Sequence, residues 1–73
     1  MNLTNTQLKK IAMLALRAEY GFCPSTLSEI ILLEACHSGQ YIMFEVHGNE
    51  YQFHSYRLAD GSIWVGKGTI SRR

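Results

Sequence analysis

The sequence predicts an α+β domain in which one N-terminal amphipathic helix lies on an antiparallel β-meander of three to four strands. Two features carry this reading. From Thr4 to Tyr20 the apolar residues recur at helical spacing; beyond Pro24 the period changes, and turn dipeptides separate segments rich in Ile, Val, Tyr, Phe and Trp. A third feature sets the scale, since 73 residues leave room for one hydrophobic core and no second domain.

The helix comes first. Leu8, Ile11, Ala12, Ala15, Leu16 and Ala18 stand three or four apart, with Lys9, Lys10, Arg17 and Glu19 largely between them, which predicts a helix over residues 5–20. Thr4 with Gln7 has the pattern of a capping box, Asn5 and Thr6 are alternative caps, and Gly21 is placed to end the helix in a left-handed conformation. Residues 22–26 read as a connector, because Pro24 has no N–H to give to a ladder.

Ser38-Gly39, Gly48-Asn49 and Asp60-Gly61 suit two-residue turns and divide the remainder into strands at about residues 29–37, 40–47, 50–59 and 62–67. A C-terminal tail at 69–73 is expected to be flexible. Residues 26–36 read either as strand or as a capped second helix. Their Leu, Glu and Ala suit helix and their Ile pair is indifferent, but four strands under one helix close a better core than three.

Two-residue turns would fix the register. Leu33 then opposes Phe44, Ile31 opposes Val46 and Phe44 opposes Phe53 on the face meant for the helix. On the other face Tyr41 opposes Tyr56, Met43 opposes His54 and His54 opposes Lys67. That second face is mixed, not polar, and has no helix to cover it. An uncovered amphipathic patch on so small a chain marks an interface, so Tyr41, Met43, His54, Tyr56 and Lys67 are the expected partner-binding residues.

Seven Lys/Arg against six Asp/Glu give a formal charge of +1, so nothing global calls for nucleic acid, an anionic membrane or an acidic substrate. A local nucleic-acid site is the alternative, with Tyr41 and Tyr56 as stacking surfaces and Arg57, Lys67, Arg72 and Arg73 on phosphates. Without a signal-peptide pattern or a long apolar run, the expectation is a cytoplasmic protein without a membrane segment. Cys23 and Cys36 form no framework and are expected to be reduced.

Metal chemistry would draw on Cys23, Cys36, His37, His47 and His54, but their spacing matches no ligand motif, and no metal is expected. Cys36 with His37 or His54 is the nearest approach to a nucleophile and base; a sheet this small offers no deep cleft to serve them. Glu34, Glu45 and Glu50 are scattered. The run Gly61-x(4)-Gly66-Lys67-Gly68-Thr69 has the outline of a phosphate loop, yet puts Gly where Ser or Thr belongs and lacks a following helix. No catalytic residue, cofactor or small-molecule substrate is therefore indicated, and the chain reads as a non-enzyme.

In size, Met1 start, single compact domain and want of catalytic residues, the chain resembles the short proteins of phages and other mobile elements. Some of these inhibit bacterial defence nucleases, anti-CRISPR proteins among them. The resemblance rests on general character and carries no residue over. It implies an interaction module that occludes a protein partner's surface or forms a homodimer.

Overall fold

The structure, a computed structural model, describes residues 2–73. Helix α1 spans Asn5–Tyr20, and of the alternative caps it uses Thr4. The Gln7 N–H donates to Thr4 Oγ1 at 3.2 Å and the Thr4 N–H donates to Gln7 Oε1 at 2.8 Å, which satisfies two amides that the helix start would leave without partners. Gly21, at φ 76°, closes the other end with its N–H on the Arg17 carbonyl. Leu8, Ala12, Ala15 and Leu16 form the buried stripe.

Residues 26–36 combine parts of both readings. Thr26 and Glu29 make a capping pair, but it starts only a single 3₁₀ turn, Leu27–Glu29, before the chain extends. Strand β1 (Ile30–Ala35) follows, then β2 (Tyr41–Val46), β3 (Asn49–His54) and β4 (Ile70–Arg72), in one antiparallel sheet ordered β1-β2-β3-β4. The fold is thus the expected helix on a four-stranded meander.

Register departs from expectation in three places. First, a bulge at Leu33 shifts the β1–β2 pairing, so Ile30 meets Val46 and Leu32 meets Phe44, while Glu34 meets Met43. A one-residue shift exchanges faces. Ile30 is buried and Ile31 and Leu33 are exposed, the reverse of the expected arrangement.

Second, the β2–β3 turn is His47-Gly48 and not Gly48-Asn49. Both residues have positive φ, 50° and 83°, the conformation that a tight turn between right-twisted strands needs. The slip moves each pair by two residues, so every side chain keeps its face while its partner changes. Phe44 opposes Tyr51, Ile42 opposes Phe53, Tyr41 opposes His54 and Met43 opposes Gln52.

Third, the fourth strand is Ile70–Arg72, within the segment expected as a tail, and residues 62–67 are not a strand. Gly68, at φ 87°, is incompatible with extended pairing. After His54 the chain leaves the sheet and makes a loop over residues 55–69. It turns at Asp60-Gly61, where the Leu58 N–H donates to the Ser62 carbonyl at 2.7 Å, and a bridge joins Arg57 to Ile63. The Ser55 hydroxyl donates to the Trp64 carbonyl. Ile63 and Val65 pack from this loop against the core.

The core lies between α1 and the inner face of the sheet, where Ile42, Phe44 and Phe53 are wholly buried and Tyr51 stacks on Phe44 with ring centroids 5.6 Å apart. Ile70 closes it at the β4 edge.

Candidate functional site

With α1 on one side, the other side of the sheet is bare, and its composition follows from the register. Alternation along β2 and β3 sends Tyr41, Met43, Glu45, Glu50, Gln52 and His54 outward, opposite the buried Ile42, Phe44, Val46, Tyr51 and Phe53. The bulge adds Ile31 and Leu33 from β1, respectively 51% and 44% exposed. Glu34 stands opposite Met43.

Of the five residues expected to bind a partner, the sheet brings three together. The Tyr41 and His54 rings meet edge-on, centroids 6.3 Å apart at 67°, on a directly opposed pair. Met43 sits beside them on β2, and Arg73 Nη1 donates to its sulfur. Tyr56 does not oppose Tyr41; it lies past the end of β3 and is 58% exposed in the loop. Lys67 does not oppose His54, whose N–H donates instead to the Thr69 carbonyl at 2.8 Å. It stands in the loop next to Gly68, whose N–H is held at 2.8 Å by Glu19 of α1.

The basic residues expected on phosphates do not gather either. Arg57 donates from Nη1 to the Gly61 carbonyl at 2.7 Å, and Arg72 donates from Nη2 to Asn49 Oδ1 at 2.6 Å on the β3–β4 edge. Arg73 reaches over the open face. Glu45 and Glu50 are directly opposed there, with Glu34 nearby on β1, so the apolar residues of this face carry an acidic surround.

Compared with family models, curated proteins and solved structures, the chain matches none.

Two parts of this face escape sequence reading. Nothing in Ile30-Ile31-Leu32-Leu33 says which residue bulges, so Ile31 and Leu33 are assigned to the wrong side. Arg73, expected on phosphates from a flexible tail, comes to this face only through β4, which is missed although the alternation of Thr69-Ile70-Ser71-Arg72 is a short strand signal.

A second cluster has chemistry of its own. Cys36 Sγ is exposed and lies 3.0 Å from the Ser38 hydroxyl. That hydroxyl and the Ser38 backbone N–H stabilise the thiolate and lower the thiol pKa below its ordinary value, with a smaller contribution from the Arg57 charge. Among the described residues, no three of His, Cys, Asp and Glu come together as a metal-binding group. No helix among them is long and apolar enough to cross a membrane.

Proposed function

We propose that this protein is a non-enzymatic interaction module that uses its open sheet face to cover part of a larger protein or of a second copy. The observation that carries the reading is that one helix covers one face only, while Ile31 and Leu33 stay exposed on the other beside Tyr41, Met43 and His54. Apolar and aromatic residues interspersed with charged ones, as Ile31 is with Glu45 and Met43 with Glu34, make an amphipathic surface of the kind that marks an interface. A standard interface takes about 800 Å² from each partner, a modest share of this chain's 4518 Å². Glu34, Glu45 and Glu50 favour a partner that presents cationic groups among apolar ones and disfavour phosphate backbones. The inhibitor role suggested by size would operate here as steric occlusion, in a protein of the cytoplasm.

The test is affinity capture from bacterial lysate, with and without nuclease, comparing the native chain with Ile31→Ser/Leu33→Ser. Capture that survives nuclease and is lost in the variant supports the reading. Sedimentation of the purified chain then separates a foreign partner from self-association. Capture that vanishes with nuclease, or that the variant retains, overturns it.

A further inference from the structure

A cavity of about 370 Å³ opens between the N-terminal segment, α1, the β1–β2 turn and the 55–69 loop. None of its lining residues lies in a strand, so it is separate from the open sheet face. Its volume is at the low end of small-molecule pockets, about 300–1,000 Å³.

Half of the residues that line it are aliphatic: Leu3, Ile11, Ile63 and Val65. It is also held in place. The Leu3 N–H donates to the His37 carbonyl at 2.8 Å, which ties the N-terminal segment to the β1–β2 turn. Leu3 and Ile63 close over Gly39 so tightly that a Cβ there would fall 2.6 and 2.7 Å from their Cδ1 atoms. Such packing leaves little to organise on binding, which favours affinity.

Arg57 is the one charged residue among the described residues that line the cavity. Its Nη1 donates to the Gly61 carbonyl at 2.7 Å, which steadies the guanidinium and leaves further N–H donors on a fork of five. Among the described residues no carboxylate forms an ion pair with it. The nearby Asp60 carboxylate instead accepts from the Ser62 N–H at 2.9 Å and the Ser62 hydroxyl at 2.6 Å. A single planar cation over an aliphatic cavity is complementary to one planar anion carrying an apolar body. A phosphate would need more positive charge, and a neutral apolar molecule would leave the guanidinium unused.

We infer that this cavity binds a small apolar monocarboxylate, with the carboxylate on Arg57 and the hydrocarbon against Leu3, Ile11, Ile63 and Val65. The test is a titration of the full chain followed by amide chemical shifts, with octanoate as probe and 1-octanol and octylammonium as controls of matched length. Octanoate is expected to shift the Ser38, Ile63 and Val65 amides saturably, and to bind about tenfold or more tighter than either control. Arg57→Gln, at an exposed position, should remove that preference while leaving the fold intact, and Arg57→Lys should keep part of it. Equal binding of octanoate and octanol, shifts elsewhere in the protein, or no saturable binding would each overturn the inference. Because the three-ligand comparison uses the native chain, the outcome does not depend on any variant folding.

Discussion

The Ser38 hydroxyl, 3.0 Å from Cys36 Sγ, lowers that thiol's pKa below its ordinary value, and Cys36 is exposed where Cys23 is half-buried. Thiolate is the reacting species, so Cys36 should be alkylated by iodoacetamide faster than Cys23 at neutral pH. Ser38→Ala should move the midpoint of its pH–rate profile upward; peptide mass mapping of both sites over a pH series measures this. Glu29 obeys the same rule in the same direction. Its carboxylate accepts from the Thr26 N–H at 2.8 Å and from His47 Nε2 at 2.7 Å, and these contacts, the Thr26 amide first, hold its pKa below the ordinary glutamate value. A carboxyl lowered on folding stabilises the folded state fully above its unfolded pKa, and that stabilisation is lost as pH falls through the folded value. Urea midpoints for the native chain and Glu29→Gln should therefore differ at pH 7 and converge toward pH 3. A gap that persists at low pH would assign the effect to packing.

At the scale of elements, the helix is legible in the sequence down to its caps, because capping and periodicity are local: Thr4 pairs with Gln7 at one end and Gly21 with Arg17 at the other. Register is not local. Whether Leu33 bulges depends on which of Ile30 and Ile31 packs better against α1 and Val46, and a run of four aliphatics says nothing about that. The consequence is measurable. Ile30→Ala should cost about 2–5 kcal/mol, the range for large-to-small changes in a core, whereas Ile31→Ala on the open face should cost under about 1 kcal/mol. Chemical denaturation of the two variants decides between the bulged register and the regular one, which predicts the opposite order. The β2–β3 turn lies one position before the Gly48-Asn49 that the sequence suggests, because His47, a residue with no glycine-like freedom, occupies positive φ there. Since open space surrounds a Cβ at Gly48, Gly48→Ala can fail only through its φ of 83°. It should lose about 1–2 kcal/mol, and D-alanine at the same position, introduced by chemical synthesis, should restore the stability.

At the scale of the whole molecule, the Cα radius of gyration is 11.1 Å, in line with the roughly 11 Å expected of a compact chain this long. The 55–69 loop therefore folds back onto the body, and it returns the chain for β4 to close the sheet. The sheet face that this leaves uncovered is legible as an uncovered face, and so are its members Tyr41, Met43 and His54, which follow from alternation; Tyr56 and Lys67 depend on a long-range return that no local turn signal encodes. A domain of this size is held by roughly 4–11 kcal/mol, and β4 supplies a disproportionate part. Ile70 is 6% exposed against the core, and the strand's ladder pairs with Tyr51, Gln52 and Phe53, two of which are core residues. Burying a carboxylate at Ile70 would have no compensating partner, while one at Ser71, across from Gln52 on the open face, would remain in water. Ile70→Asp should therefore unfold much of the population at 25 °C, as should removal of residues 69–73, whereas Ser71→Asp should melt close to the native chain. Far-UV circular dichroism melts of the three proteins test this. Cooperative unfolding of all three near the native temperature would mean that the helix and first three strands stand alone, and that β4 is an appendage to the core.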